Sequence, residues 1–583
     1  MVAPSGAFAF GGGCGVKRQQ WYQRMSGERV AAIIDRWVDW CAHRAAGDIV
    51  GVDVDGVEAE EGDARAWPSE FVGPVRATSP ADWLAGLSPG DVRDAAGSLA
   101  EQCWGFVVSG AGWARMVSVC ASHGVAAPDV DAVGLRPALA RVVCRSWWAR
   151  KIRRSRAVVL ADREQRHVTR YCSARARSEY VRAAEESARW AAGVMLERAD
   201  SGESFSLADL MSKSLANPAL RAAELVTRVK GCAEWAESVG WVGLLVTLTA
   251  PGRMHPNSGS RWTGEGARAV QLHLSKAWAR MRAALWRRVD EGMRPVGVRV
   301  CEPHSDGCPH WHMVLFVHPD VVAELGELLR RYFWLDHDPH EPGSEKHRVK
   351  IDPVRGGVDG AVGYVLKYVV KHQASAGSSA EVRELVGDVE VPDARTVDTN
   401  AVRAWASQSR IRTWQAVGGP SVTIWRMLRR AEGADRPGYV APDGMGALLA
   451  CADSGDWCGF MAECAEESGG WKRWVSMRSV MRRVTPKGEF VGPARSRYGD
   501  EPKKVAYGVE CASGGGSSVI ARRFEWRAVA RSAVPLGHVS LTVRGERDGI
   551  EGVGGVGDFV GFDASDGVAD ALKKACDVVR GVQ

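Results

Sequence analysis

The alternation of hydrophobic and polar positions changes period several times along the middle of the chain, which predicts a domain of mixed strands and helices. Strands are predicted over 243–249, 296–302 and 311–317, and helices over 271–289, 321–333 and 358–372. A segment rich in Pro, Ser, Asp and Gly separates the last two strands and favours an antiparallel pair. This order of elements is typical of an α+β fold with a central antiparallel sheet flanked by mainly helical regions.

The length of 583 residues suits several domains, and changes in patterning suggest five regions. They are a variable, irregular N-terminal region of unknown function at 1–134, a basic helical region at 135–235, the α+β domain at 236–375, a helical extension at 376–432, and a Gly-rich C-terminal region at 433–583. An unbroken apolar run of about 18 residues is absent, so we expect no membrane-spanning helix and no membrane partner.

Charge is concentrated in one part of the basic helical region. Between Arg141 and Arg177 twelve basic residues face two acidic ones, a local surplus of +10 that exceeds the net charge of +6 of the whole chain. Such a surplus attracts phosphates by counterion release, although a solvated helical face has the same composition. We select Arg150, Lys151, Arg153 and Arg154 as candidate DNA contacts.

A cluster of metal-ligating residue types lies on the predicted antiparallel pair. Side chains alternate along a strand, so His310 and His312 point to the same face. Glu302 ends the partner strand and is our choice for a third ligand, with His304 and Asp306 as competitors. Two imidazoles and one carboxylate suit Mg²⁺ or Mn²⁺ when a phosphate supplies further oxygen ligands.

Two other interpretations of these histidines remain open from the sequence. A His-x-His pair on a strand is often a surface feature without a metal. Cys301 and Cys308 together with His310 and His312 offer the residue types of a structural zinc site, although their spacing is not that of a familiar zinc module.

Two tyrosines follow about fifty residues later on the predicted helix 358–372. Tyr364 and Tyr368 are four residues apart and therefore share one helix face, and Lys367 lies beside the second. A tyrosine that attacks a phosphodiester forms a phosphotyrosine and keeps the bond energy, so that the strand can be rejoined. Core packing is the competing interpretation of such a pair.

Three segments in this order resemble the motifs of the phage replication gene A proteins, which are HUH endonucleases that initiate rolling-circle replication. The segments are 246–255 with its Thr-Leu-Thr strand, 299–316 with the histidine pair, and 363–368 with the two tyrosines. Ser305 and Cys308 depart from the family pattern, and neither replaces a proposed ligand. The resemblance covers about residues 135–508.

The resemblance implies an HUH endonuclease domain at 236–375. It implies that Tyr364 and Tyr368 are nucleophiles, that Lys367 contacts phosphate or phenolate, and that His310 and His312 hold the metal. It also implies site- and strand-specific nicking of single-stranded and origin DNA in the bacterial cytoplasm, with a host helicase and polymerase as partners, since the chain carries no Walker A motif. A plasmid relaxase, a single-strand transposase, a catalytically inactive DNA-binding protein and a zinc-stabilised structural protein are the alternatives.

Overall fold

The fold is taken from a computed structural model of the chain. It describes Ile34 and residues 79–108, 113–198, 201–373, 398–434, 439–465, 471, 474–480, 482–484, 490–493, 496, 498–502, 504–512, 517–521 and 526–530. Contacts divide the chain into two compact units. The first comprises 1–159 and 482–503, and the second comprises 160–481 and 504–583.

The helices and strands of the described residues alternate in long blocks. The helices are α1 Pro80–Gly86, α2 Asp91–Val108, α3 Trp113–Ser122, α4 Val130–Val133, α5 Leu135–Val142, α6 Arg145–Glu164, α7 Ala174–Gly193, α8 Leu207–Ser212, α9 Pro218–Ser238, α10 Ala267–Trp286, α11 Val322–Arg330, α12 Ser344–His347, α13 Gly357–Gln373, α14 Thr399–Ser409, α15 Val422–Leu428, α16 Gly446–Ser454 and α17 Trp457–Ala465. The strands are β1 Val194–Arg198, β2 Ser204–Ser206, β3 Val242–Thr249, β4 Val296–Pro303, β5 Pro309–Val317, β6 Val349–Pro353, β7 Trp414–Val417, β8 Trp474–Val480, β9 Arg482–Val484, β10 Phe490–Pro493, β11 Lys504–Cys511, β12 Ser518–Ile520 and β13 Trp526–Ala530. None of these helices is long and apolar enough to cross a membrane.

The first unit is helical where the sequence pattern predicted an irregular region, so that prediction is wrong for the described residues 80–108 and 113–133. Helices α1, α2, α3 and α5 and the start of α6 pack around a core that includes Trp83, Leu84 and the fully buried Trp148, whereas α4 has no buried residue. The start of α1 had a readable signal, because the Ser79 hydroxyl accepts a hydrogen bond from the backbone N–H of Asp82 and a proline follows it.

A five-stranded antiparallel sheet forms the centre of the second unit, in the order β6–β3–β5–β4–β7. The predicted antiparallel sheet and the α+β class are therefore confirmed. Strands β6 and β7 were missed. The apolar alternation of β6 is confined to five residues that end in a proline, and the four residues of β7 are mostly half-exposed or exposed and show no clear alternation. The last turn of the predicted helix 321–333 is a π-helical segment over Arg331–Leu335.

The two faces of this sheet bury different helices. One face carries Val296, Val298, Val314 and Phe316 against α9, α13 and α17. The other carries Leu244, Val246, Met313 and Leu315 against α10 and α11. Helix α17 approaches α9 so closely that a Cβ on Gly231 would lie 2.6 Å from the backbone nitrogen of Cys458. Alternate side chains of one strand are thus buried in two different cores, and the face on which a functional residue lies determines which helices it contacts.

Two regions differ from their predicted patterning. The helical pattern predicted up to about residue 200 ends at Gly193, and β1 pairs with β2 and β13 instead. The Gly-rich C-terminal region contains α16, α17 and a three-stranded sheet of β12, β11 and β8. Helix α16 carries apolar residues around most of its circumference, which hides the helical period in the sequence. The five-region division of the chain stays a prediction.

Candidate functional site

The register of β4 and β5 brings three metal-ligating side chains to one face of the sheet. Glu302 is directly opposite His310, and Val300 is opposite His312. Residues opposite each other in an antiparallel pair point to the same face, so the carboxylate and both imidazoles project towards α13. Trp311, between the histidines, points the other way and is completely buried. The predicted strand alternation around the two histidines is therefore confirmed.

The ligand atoms of Glu302, His310 and His312 all lie within 4.8 Å of one another. The Nε2 atoms of the two histidines are 2.7 Å apart, and a carboxylate oxygen of Glu302 lies 4.0 Å from Nε2 of His310 and 3.7 Å from Nε2 of His312. The Glu302 side chain is only 6% exposed. A buried carboxylate facing two imidazole nitrogens is an arrangement that fits one divalent cation, since the ion would compensate the charge.

The competing ligands do not converge on this cluster. Cys301 lies on the opposite face, where its thiol donates to the Gln271 side-chain oxygen, and the Cys308 thiol donates to the backbone oxygen of Met254. The four-residue zinc interpretation is therefore wrong. Asp306 accepts a hydrogen bond at 3.2 Å from Nδ1 of His255.

His304 lies against the cluster without joining it. Its ring stacks on His310 at 3.8 Å between centroids, and its Nε2 is buried without a hydrogen-bond partner. Burial, and then the neighbouring His255, lower the pKa of His304 to about 4, so that its ring is neutral at neutral pH. His304 therefore packs beside the candidate ligands as an uncharged aromatic ring.

Helix α13 places both tyrosines over the histidines. The Tyr364 hydroxyl is 3.1 Å from Nδ1 of His312, and it also hydrogen-bonds with the hydroxyls of Tyr368 and Thr247. The Tyr368 ring stacks on His312 with centroids 4.5 Å apart and is 3% exposed. The structure thus brings together the two motifs that the sequence separates by about fifty residues.

Burial changes the acidity of both phenols. It raises the pKa of Tyr364, although hydrogen bonds with Tyr368 and Thr247 act in the other direction. It raises the pKa of Tyr368 much further, with added contributions from Tyr364 and the Glu302 charge. Both hydroxyls are therefore protonated at neutral pH in the resting protein. Lys367 points to solvent, and its ammonium group lies 5.9 Å from the centre of the Tyr368 ring.

Thr247 is a site residue that sequence reasoning did not select. It lies on β3 opposite His312, and its hydroxyl is 3.1 Å from Nδ1 of that histidine. An imidazole that binds a metal through Nε2 carries its proton on Nδ1, and a hydrogen bond there holds the ring in position. The Thr-Leu-Thr sequence of β3 was a usable signal, because alternation puts its two threonines on one face.

The four candidate DNA contacts on α6 differ in their surroundings within the first unit. Arg153 is exposed. Arg150 donates to the Tyr498 hydroxyl at 3.0 Å, and the Lys151 ammonium group lies over the Trp147 ring at 5.6 Å. Arg154 is half-buried. Part of the basic surplus of this region thus serves packing in addition to any phosphate contact.

Comparison with known proteins identifies relatives of this chain. The family model described as Bacteriophage replication gene A protein (GPA) matches residues 117–375. The Replication gene A protein of Escherichia phage 186 is 30% identical over 424 residues, which cover 69% of this chain and 57% of that protein. The Replication protein of Haemophilus phage HP1 is 32% identical over 300 residues, which cover 50% of this chain and 38% of that protein.

A Probable replication endonuclease from a prophage-like region of Salmonella typhimurium is 29% identical, over 55% of this chain and 41% of that protein. The chain spans about half the length of the curated relatives it matches. No solved structure is significantly similar to it. The family match contains the histidine pair and both tyrosines, and with these relatives it shows that the chain belongs to the bacteriophage replication gene A protein family.

Proposed function

We propose that this protein initiates phage DNA replication by cutting one DNA strand and remaining attached to it through a tyrosine. The observation that carries the proposal is the 3.1 Å approach of the Tyr364 hydroxyl to His312, a member of the buried cluster of one carboxylate and two imidazoles. A relative described as a probable replication endonuclease supports the same activity.

Glu302, His310 and His312 would hold the divalent ion, for which we propose Mg²⁺ or Mn²⁺. The donor set of two nitrogens and one carboxylate fits, and its burial beside uncharged aromatic rings leaves the carboxylate as the charge available to a cation. When bound, such an ion would act as a Lewis acid on the scissile phosphate.

The tyrosine oxygen forms a bond to the phosphorus, and the bond from phosphorus to the 3′-oxygen breaks. The products are a 5′-phosphotyrosine and a free 3′-hydroxyl, and the phenolic proton leaves to solvent. Because both phenols are protonated in the resting site, attack requires stabilisation of the developing phenolate. The single Nδ1–H of His312 is shared between the Thr247 hydroxyl and the Tyr364 oxygen, each 3.1 Å away, and it can shift towards the Tyr364 oxygen as negative charge develops there. Lys367, on the same helix as Tyr364, is available for the substrate phosphate.

Two adjacent nucleophiles allow a second transfer. While one tyrosine is esterified, the hydroxyl of the other remains within the same hydrogen-bonded pair and can attack a second strand. That second attack forms a new phosphotyrosine and frees a new 3′-hydroxyl. This hydroxyl would then attack the first phosphotyrosine, which rejoins the displaced strand and releases the first tyrosine, after a host polymerase has extended the original 3′-hydroxyl and a host helicase has opened the duplex. Single-stranded and origin DNA are the proposed substrates, with exposed Arg153 the best placed of the α6 contacts to meet phosphate.

The test is incubation of the full chain with labelled single-stranded DNA and supercoiled phage DNA containing the origin, with Mn²⁺ or with EDTA, followed by a denaturing gel. We expect a Mn²⁺-dependent band of DNA attached to protein. Tyr364→Phe and Tyr368→Phe singly should keep part of it, and the double variant should have none. Tyr332→Phe is the matched control, because Tyr332 lies on the π-helical segment beyond the other face of the sheet.

Nicking by the double variant at the wild-type level would remove tyrosine from the mechanism. Clean binding of origin DNA without an adduct would instead identify a DNA-binding protein that has lost its chemistry.

A further inference from the structure

A polar cavity of about 270 Å³ lies beside the candidate metal cluster. Three segments that are distant in sequence form its walls. Gln165 and Val168 follow α6, Pro256, Asn257 and Trp262 follow β3, and Asp306 lies in the turn between β4 and β5. Asn257 and Gly259 are exposed, so the cavity opens to solvent. At about 30 Å³ per water it has room for about nine waters, or for one flat heterocycle with a few waters around it.

The walls offer the two kinds of contact that an unstacked nucleobase requires. Trp262, Pro256 and Val168 supply flat or apolar surface for a ring face. Gln165, Asn257 and Asp306 supply amide and carboxylate groups for a base edge. Proteins that recognise single strands splay out individual bases and read them with this combination of stacking and edge hydrogen bonds.

The Asp306 wall is fixed before any ligand arrives. One carboxylate oxygen accepts from the Cys308 backbone N–H at 3.0 Å, the other accepts from His255 at 3.2 Å, and the Gln165 amide donates to the Asp306 backbone oxygen at 3.2 Å. Each carboxylate oxygen keeps a second lone pair, and an ionised carboxylate can only accept. The wall therefore favours bases that carry an amino group, such as adenine and cytosine, over thymine.

Direct contacts connect this wall to the metal cluster. The His255 ring lies 5.0 Å from the His304 ring, which stacks on His310 at 3.8 Å between centroids. The turn that carries Asp306 also joins the strands that carry Glu302 and His310. A base in the cavity would consequently belong to a nucleotide close to the phosphate held at the cluster.

We propose that this cavity binds one unstacked base of the single-stranded DNA substrate and selects an amino-bearing base over thymine next to the cutting site. The inference rests on the proposed function for its substrate, and it adds a sequence-reading element to that site.

The test measures equilibrium binding by fluorescence anisotropy, with labelled oligonucleotides of dA, dC or dT as probes. The full chain carries Tyr364→Phe and Tyr368→Phe, and EDTA is present, so that no covalent product forms. We expect dA and dC to bind about tenfold more tightly than dT, since one well-placed edge contact discriminates by that order. When Asp306→Asn is introduced into the same protein, the ratio of dA or dC affinity to dT affinity should fall severalfold, because an amide can donate a hydrogen bond to a thymine oxygen.

Asn257→Ala provides a second variant at an exposed position, where loss of folding is not expected. It should weaken dA and dC binding more than dT binding. Ser260→Ala, on the same segment but outside the cavity wall, should leave all three affinities unchanged. Equal affinities of the parent protein for the three probes, or an equal loss for all three in both cavity variants, would overturn the proposal.

The outcome is independent of the nicking assay. A base preference that depends on Asp306 and Asn257 would stand even if the chain formed no adduct. Adduct formation without such a preference would support the proposed function and reject the cavity as a base site.

Discussion

Replacing Glu302 by glutamine tests whether the cluster binds a cation. The substitution keeps the size of the side chain and one oxygen but removes its charge, and that carboxylate lies 3.7 Å and 4.0 Å from the two imidazole nitrogens. A unit charge about 4 Å from a carboxylate is attracted by roughly 4 kcal/mol at an effective dielectric constant of about 20, and a bound Mn²⁺, which carries two charges and would lie closer, is attracted by at least that much. Loss of that attraction corresponds to about a thousandfold weaker binding of Mn²⁺.

The assay is calorimetric titration of Mn²⁺ into the full chain and the Glu302→Gln variant at equal pH. Glu327→Gln is the matched control, because it makes the same chemical change at an exposed position on α11. Unchanged circular dichroism would show that the variant is folded. A dissociation constant for Glu302→Gln within about threefold of that of the control would refute the assignment of Glu302 as a ligand.

Two further predictions concern positions around the sheet. Thr247→Val should weaken Mn²⁺ binding about 10- to 100-fold, because it removes the 3.1 Å hydrogen bond to Nδ1 of His312. Thr249→Val on the same strand is the control and should leave Mn²⁺ binding unchanged. Equal effects of the two substitutions would contradict this role for Thr247. Burial, and then the neighbouring His337, lower the pKa of His273 from 6.5 to about 4, so the folded state loses stability as the pH falls from about 6.5 towards 4. The melting temperature of His273→Phe should therefore fall less between about pH 7 and pH 4.5 than that of the parent protein, and parallel curves would exclude this contribution.

The parts of the site that are local in sequence could be predicted well. Alternation along a strand predicts that His310 and His312 lie on one face of the sheet, and helical spacing predicts that Tyr364 and Tyr368 lie on one face of a helix; neither prediction needs a tertiary contact. Both predictions depend only on local backbone geometry, which is set by residues that are close together in the sequence.

Prediction was poor where an element lacked an apolar period of its own. Helix α2 was missed because alanines and glycines make up much of its sequence, and α4 because it has only four residues. Strand β7 was missed because its four residues are mostly half-exposed or exposed. Strand β7 depends on pairing with β4, which lies more than a hundred residues earlier in the chain. Such an element is stabilised by its partner and carries little signal in its own residues.

The sequence by itself determined the side-chain chemistry, the strand and helix periods that orient the histidines and tyrosines, and the order of motifs that marks the family. Only the tertiary structure decided that Thr247 lies against His312, that α13 covers the histidine face, and that Gln165, Asn257 and Asp306 surround one cavity. The physical reason is that side-chain direction follows from local backbone geometry, whereas the neighbours of a side chain depend on which apolar faces bury one another across long stretches of chain.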